Sequence, residues 1–319
     1  MRGAQPDGGG GAVAVTIVAY DSAALLPSCL AAVAQLPDLT DVVVVDHGGG
    51  DSADVAGRAG VRALRDPSNP GFGAGHNRAA RTTTAPYLLL LNPDAVVDAS
   101  AVERGLAVLE ADGSVAAVQG AIRSPGGALD RSQGVALAPV HLLGRALSLK
   151  RLSALRLVRV LVSRVPAVRD SVVRRSDDAR EVASLAATAL LVRRSAFEEV
   201  GGFDERFFLY GEDQDLCRRL RQRGWRLVGL PDPWAVHQNG SSFTSSWQRE
   251  LHWWRGTMMY AARWWTWRDW ALGVLAALIM WSRLAIRRPS GAHDAARALV
   301  IAPLRDRRRW RQGASLSLR

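Results

Sequence analysis

The chain of 319 residues is expected to be an α/β protein built on a mostly parallel, Rossmann-like sheet with helices packed on its faces. Three observations predict this. Continuous apolar runs suited to buried parallel strands recur at AVAVTIVAY (Ala12–Tyr20), VVVVD (Val42–Asp46) and YLLLL (Tyr87–Leu91). Stretches compatible with helices separate them at the spacing of βαβ units. Two of the runs lead into carboxylates, Asp46 and Asp94, at the strand ends where open α/β sheets gather ligands.

In chain order, residues 1–11 are Gly-rich and expected to be disordered. After the first strand, Asp21-Ser22 reads as the N-cap of a helix reaching about Gln35. The second strand ends at Asp46 and hands over to the loop HGGGDS (His47–Ser52). Val61–Asp66 is the third strand, and NPGFGAGHNRAA (Asn69–Ala80) is a glycine-rich loop that opens a helix. Tyr87–Val97 holds the fourth strand and its Asn92-Pro93-Asp94 ending, followed by a helix over Ser100–Ala111 and a strand at Val115–Val118. The pattern lapses between Arg123 and Gln133. It resumes at Ser184 with a strand, a short helix, a turn at Gly201-Gly202, a helix over Glu212–Gln222, a strand at Arg226–Leu230 and the segment PDPWAVHQNGSS. This organisation gives a domain over 12–246, with halves 12–120 and 181–246 around a basic helical insertion at 145–180, and a Trp/Arg-rich helical tail at 247–319.

Composition narrows the function classes. A hydrophobic content of 48% is that of a folded protein, and the length accommodates one large domain or two smaller ones. Cys29 and Cys217 lie far apart without CxxC spacing and with no secretory leader ahead of them, which suggests a reducing, cytoplasmic setting. The net charge of +11 is unevenly spread: residues 145–180 carry +7 and residues 249–319 carry +10, while the remainder sums to −6. An acidic sheet half without a reading motif argues against nucleic acid. Arg interleaved with Leu, Val and Trp in the two basic segments is the pattern of amphipathic helices on an anionic membrane surface.

Several residues could carry chemistry. Asp46 can accept a hydrogen bond from a nucleobase or ribose, or can cap its own loop. Asp94 stands where a ligand or metal would be held, or in a turn. The glycine-rich loop allows close approach of a phosphate to helix N–H groups. Gly71, Gly73 and Gly75 do not fit GxGxxG, however, and Arg78 occupies the place of a third glycine, which disfavours a hydride-transfer enzyme. GEDQDL (Gly211–Leu216) crowds Glu212, Asp213 and Asp215 into one turn after the aromatic stretch FDERFFLY. Crowded carboxylates beside an apolar wall have raised pKa values, which suits a general base. His237 reads as a structural histidine unless a metal is nearby.

Taken together, TIVAYDS, VVVVDHGGGDS, NPGFGAGHNRAA, LLLLNPDAVV, GGFDERFFLYGEDQDLCRRL and VHQNGSS, in that order, resemble the family 2 glycosyltransferases, most closely a bacterial rhamnosyltransferase-like branch. The resemblance runs from about Val13 to Ser242. It implies a GT-A fold and inverting transfer from a nucleotide-diphosphate sugar assisted by a divalent cation, Mg²⁺ or Mn²⁺. By resemblance, residues 12–120 form the nucleotide-sugar-binding half and 181–246 the acceptor and catalytic half. Tyr20, Asp21 and Asp46 would line the nucleoside pocket, with Asn69, Gly71, Phe72 and Asn77 beside the nucleotide and diphosphate. Asp94 would hold the metal in place of the family's DXD motif, with His237 as a further ligand. Asp213 would be the catalytic base and Glu212 its neighbour. Asn92 departs from the first Asp of DXD, and Asp21 and His47 stand where the family commonly has Asn. The branch implies L-rhamnose from dTDP-rhamnose. Another donor such as UDP-galactofuranose or UDP-GlcNAc on the same fold, or a silent membrane scaffold, is the alternative.

The tail segment WALGVLAALIMW (Trp270–Trp281) is too short for the ~20 residues of a spanning helix. With Arg268, Arg283, Arg287 and Arg288, and with Trp264, Trp265, Trp267, Trp270 and Trp281, it reads as an interfacial anchor at the cytoplasmic membrane face. The alternative is packing on the catalytic domain or on a second subunit in a homo-oligomer. A basic, membrane-bound enzyme suggests a lipid-borne anionic acceptor, such as a polyprenyl-diphosphate-linked saccharide.

Overall fold

The computed structural model describes residues 12–129, 132–134, 136–147, 179–238 and 246–287. The N-terminal stretch 1–11, most of the basic insertion (148–178), Gly240-Ser241-Ser242 and the tail beyond Arg287 lie outside the described residues.

The parallel wing of the sheet forms as expected. β1 (Val13–Ala19) and β4 (Tyr87–Leu91) are buried along their whole length, which is why both are apolar at every position but one, Thr16. β2 (Leu39–Asp46) and β3 (Arg62–Arg65) complete the order β3-β2-β1-β4, all parallel. α1 (Leu26–Val33) begins later than Asp21-Ser22 suggests, because Pro27 occupies its first turn and Ser22 instead accepts the backbone N–H groups of Leu25 and Leu26. The loop after Asp46 contains a further helix, α2 (Asp51–Arg58), and the glycine-rich loop opens α3 (Phe72–Ala80).

Beyond β4 the sheet becomes mixed. β5 (Ala95–Val97), α4 (Ala99–Ala111) and β6 (Val115–Arg123) follow, α4 being N-capped by the Asp98 carboxylate on the Ala101 N–H at 2.9 Å. β7 (Gln133–Gly134), α5 (Pro139–Ala146), β8 (Arg180–Glu181) and β9 (Ser184–Leu185) lead to β10 (Ala189–Arg193), which runs antiparallel between β4 and β6. Then come α6 (Arg194–Glu199), α7 (Glu212–Gln222) and β11 (Arg226–His237). β11 is parallel to β6 and antiparallel to β5, and its register slips at Gly229–Pro233 and Pro233–Ala235 let it absorb Pro231 and Pro233. The sheet order is β3-β2-β1-β4-β10-β6-β11-β5, with β8 beside β11. This architecture is a GT-A fold, with helices flanking a mixed sheet whose first half is wholly parallel.

Trp234 pins the far end of that sheet. It is fully buried, donates its indole N–H to the Ala189 carbonyl at 2.9 Å, and lies where a Cβ on Gly105 or Gly120 would intrude. Its backbone carbonyl accepts the Asp98 N–H. Truncating such a Trp to Ala removes on the order of 3–5 kcal/mol. The packing fixes β11 three residues before His237.

The C-terminal part is helical, α8 (Ser246–Trp264) and α9 (Trp267–Arg287). The expected break at 246/247 is not a break in packing. Trp254, Met258, Tyr260, Trp265, Trp270 and Val274 share a core with Leu142 and Ala146 of α5 and with Phe207. Four of the five tryptophans read as an interfacial anchor face protein instead: Trp264 bonds Asp215, Trp265 bonds the Leu137 carbonyl, and Trp270 and Trp281 pack in or against this core. Arg283 bonds the Ala146 carbonyl at the end of α5. Trp267 is the exception, 66% exposed, and shares an outward face of α9 with Leu275 and Leu278. Among the described residues no helix is long and apolar enough to cross a membrane.

Candidate active site

The first part of the site lies where β1 and β2 end. Ala19 pairs with Asp46, so Tyr20, Asp21 and Asp46 reach one sheet edge together. Tyr20 is exposed, and Asp21 holds a left-handed backbone (φ 48°) with its carboxylate close over Gly48. Asp46 is buried and accepts the N–H of Gly48 at 2.8 Å and of Ala53 at 2.7 Å, one on each oxygen. Its contacts within the chain are therefore those of a loop cap, which fixes the turn into α2 beneath Tyr20 and Asp21. His47 is buried beside it, with Nδ1 3.1 Å from the Asn69 amide oxygen and Nε2 without a hydrogen-bond partner. Burial pushes its pKa down. Asn69, in a left-handed conformation (φ 44°), is held by this contact at the mouth of the glycine-rich loop.

The glycines of that loop make room for protein. Gly71 has φ 113°, and a Cβ there would overlap the Phe208 carbonyl, which accepts the Phe72 N–H at 2.9 Å. Gly73 faces Phe203 and Gly75 faces Val18 in the same manner. Asn77, expected beside the nucleotide, is buried and engaged with the 203–205 segment. Its amide donates to the Phe203 carbonyl (2.9 Å) and the Glu205 carboxylate (3.0 Å) and accepts the Phe203 N–H (2.9 Å). The physical reason is α3 itself, which carries Asn77 on its protein-facing side, so Asn77 anchors the loop that leads to GEDQDL.

The second part forms around Asn92-Pro93-Asp94. Because β5 pairs antiparallel with β11, Ala95 lies opposite His237, and the imidazole Nε2 stands 3.1 Å from Asp94 Oδ1 and 3.3 Å from Asn92 Nδ2. Asp94 is buried, and the Gln238 N–H bonds its carbonyl. The Asn92 side-chain oxygen is buried without a hydrogen-bond partner. Beneath it Cys29 approaches the Asn92 carbonyl at 3.6 Å, its thiol pushed up to about 12 by burial and by Asp94. One carboxylate, one imidazole and one orphaned amide oxygen form a donor set of the kind a divalent cation takes when a diphosphate supplies the remaining oxygens. Among the described residues no group of three His, Cys, Asp or Glu is placed to hold a metal ion.

The third part is the start of α7. Gly211 (φ 89°) turns the chain into the helix, and Glu212 is buried with one carboxylate oxygen unpartnered. Burial and then Asp213 raise the Glu212 pKa well above the usual carboxylate range. Asp213 accepts the Gln214 N–H at 2.7 Å and is raised to about 6, chiefly by desolvation, against hydrogen bonds from backbone N–H groups that include Ala187. Asp215, the third acid of the motif, faces the other way. It is fully buried and meets Arg219 (2.6 Å), Trp264 (2.8 Å) and Arg263 (3.0 Å).

The sequence reading passed over what joins the second and third parts. Ala187 reaches Asp213, and the next residue, Thr188, accepts the Asn92 N–H at 2.9 Å through its carbonyl. Two consecutive residues at the entry to β10 thus tie the base candidate to the Asn92–Asp94 turn. Backbone contacts of this kind leave no side-chain signal to find.

The chain matches the glycosyltransferase-like family 2 over residues 10–256. It belongs to the family 2 glycosyltransferases. Stretches of it are similar to curated rhamnosyltransferases. It is 51% identical over 63 residues to an N-acetylglucosaminyl-diphospho-decaprenol L-rhamnosyltransferase of Mycobacterium tuberculosis, a stretch covering 20% of this chain and 20% of that relative. To the rhamnosyltransferase WbbL of Escherichia coli it is 40% identical over 82 residues, 24% of this chain and 30% of that one. The aligned stretches thus span under a third of either relative. Among solved structures, the mannosyltransferase PcManGT from Pyrobaculum calidifontis, in complex with GDP-Man and Mn²⁺, superposes with a TM-score of 0.54 at 17% identity, covering 95% of this chain and 84% of that one. GalNAc-T7 with UDP, GalNAc and Mn²⁺ gives 0.55 at 15% identity, covering 81% and 49%. At these identities the two structures support the fold.

Proposed function

We propose that this glycosyltransferase inverts the anomeric centre as it moves L-rhamnose from dTDP-rhamnose to a polyprenyl-diphosphate-linked saccharide in cell-wall or surface-polysaccharide assembly, on the cytoplasmic face of the membrane. The observation that carries the reading is Asp213, a carboxyl raised to about 6 and linked through Ala187-Thr188 to the Asn92–Asp94 turn. A carboxylate of that strength is ionised at neutral pH yet basic enough to take a proton from an acceptor hydroxyl as its oxygen attacks the anomeric carbon. The bond to the leaving diphosphate breaks on the opposite face, so the configuration inverts. Glu212, buried beside Asp213, is kept protonated by desolvation and then by the Asp213 charge, so Asp213 is the first of the pair to ionise. Asp94 and His237, with the Asn92 amide oxygen, would hold a Mg²⁺ or Mn²⁺ ion, whose chemistry is to offset charge on the departing diphosphate. Tyr20, Asp21 and Asn69 would line the nucleoside side, resting on the loops that Asp46 and His47 brace.

Rhamnose and the lipid-linked acceptor rest on the names of the relatives. A panel of nucleotide sugars, dTDP-rhamnose, UDP-galactofuranose, UDP-GlcNAc and GDP-mannose among them, should show the strongest protection against thermal unfolding with dTDP-rhamnose and divalent cation. Stronger protection by another donor would reassign the sugar. Absence of both protection and transfer with every donor would favour the silent scaffold. For the membrane, Leu275→Asp on the outward face of α9 should lower co-sedimentation with anionic vesicles several-fold, and unchanged co-sedimentation would remove this face from that role.

A further inference from the structure

The segment that presents the catalytic base is held from two sides. On the inner side α3 grips it through Gly71, Phe72 and Asn77, as described above. The outer side is α8. A Cβ on Gly256 of α8 would overlap the Tyr210 carbonyl, and one on Gly211 would lie 2.7 Å from the Gly256 carbonyl. The two backbones are therefore in contact at the left-handed pair Tyr210 (φ 65°) and Gly211 (φ 89°), directly before Glu212 and Asp213. Glycine within a helix destabilises it by about 1 kcal/mol relative to Ala, so Gly256 in α8 is accounted for by this approach.

Seven residues further along α8 is a polar clamp. Arg263 bonds Asp204 at the head of the segment and stands 3.0 Å from Asp215 at its foot. Trp264 donates to the same Asp215 oxygen, its indole Nε1 2.8 Å away, and the guanidinium groups of Arg218 and Arg263 each lie 4.7 Å from its ring centroid. Asp204 is also paired with Arg206, and Asp215 with Arg219, so both acids are neutralised locally without Arg263. What Arg263 adds is a connection between the two ends of residues 204–215.

We propose that Arg263 is a positioning residue for the transfer reaction: by joining Asp204 to Asp215 across α8, it sets the place of the Asp213 carboxylate relative to the Asn92–Asp94 turn. The C-terminal helical pair is then part of the catalytic apparatus, and whatever α9 rests on can reach the base through α8. This rests on the reading of Asp213 as the base. Displacement of a catalytic group by about 1 Å can lower a rate by about a hundredfold.

The experiment uses the full-length chain with Arg263→Met, Arg263→Lys, and the pair Arg263→Met with Asp215→Asn, which removes both charges and so protects folding. Two measurements are made: transfer from dTDP-rhamnose to a short-chain polyprenyl-diphosphate GlcNAc, and amide hydrogen exchange. The expected result is a kcat at least tenfold lower for Arg263→Met and for the pair, donor KM within twofold of wild type, partial recovery in Arg263→Lys, and faster exchange confined to residues 204–214. An unchanged kcat in an active system, or exchange that is unchanged in 204–214 or accelerated throughout the chain, would overturn the proposal. If wild type transfers nothing, the functional reading fails, and the exchange pattern alone decides whether Arg263 positions the segment.

Discussion

The halves 12–120 and 181–246 of this glycosyltransferase treat their carboxylates in opposite ways. In residues 12–120, Asp46 and Asp98 accept backbone N–H groups at helix entries, and Asp98 is held below the usual carboxylate range by Ser100 and the Ala101 N–H. In residues 181–246, Glu212 and Asp213 also stand at a helix start, where the dipole favours anions, yet burial raises both. Asp215, two residues on, receives an Arg, a Trp and a second Arg. Two of the cations around α7, Arg219 and Arg263, are directed to Asp215. What the difference teaches is that α7 separates a structural acid from the proposed base on adjacent faces, and that reactive face is left unneutralised.

The largest expected effect breaks that contrast at the base. Asp213→Asn should lower transfer by about 10²–10⁴-fold, the range of general-base removal, while nucleotide-sugar protection against unfolding stays near wild type. The same variant should be more stable at alkaline pH. Asp213 is an acid raised to about 6 in the folded chain. Its protonated form stabilises the fold relative to the unfolded chain, fully so below the unfolded value of about 4, and this is lost as pH rises through 6. At pH 8 the ionised side chain then costs on the order of 3 kcal/mol, which Asn removes. Asp94→Asn is the companion from residues 12–120: it should reduce the cation dependence of donor protection. Loss of donor protection in Asp213→Asn, or its full retention with cation in Asp94→Asn, would exchange their roles.

Much of residues 12–120 was readable because its rules are local. A run such as YLLLL is buried from end to end, and the carboxylates that follow the runs fall on one edge of the sheet. The charge crowding in GEDQDL likewise marked the raised pair. Three things were not legible. β5 has three residues, too few for any pattern, yet it places His237 beside Asp94. β10 is antiparallel, a direction that an apolar pentapeptide does not encode. The tail was read from Trp and Arg composition, and an indole has the same apolar body and N–H donor whether it meets lipid headgroups or a buried Asp215. Gly256 carried the missing signal, since glycine in a helix implies a close neighbour.

The smallest expected effect sharpens the comparison at Glu212. This side chain is buried with an unpartnered oxygen, and its ionisation is opposed first by desolvation and then by Asp213. Glu212→Gln keeps the shape and removes the titration. Below the unfolded pKa both forms are neutral, so at pH 4 wild type and variant should melt within a degree or two of one another. As pH rises, the unfolded wild type gains a charge that the folded chain resists, so its stability falls through the folded pKa while that of the variant does not. At pH 8 the variant should therefore melt higher, by on the order of a few degrees for a chain of this size. Because the Asp213 rise comes from desolvation, the acid limb of kcat should stay in place in this variant. If the variant instead melts lower at pH 8, Glu212 is held in its ionised form by a partner, and the reactive face of α7 is neutralised after all.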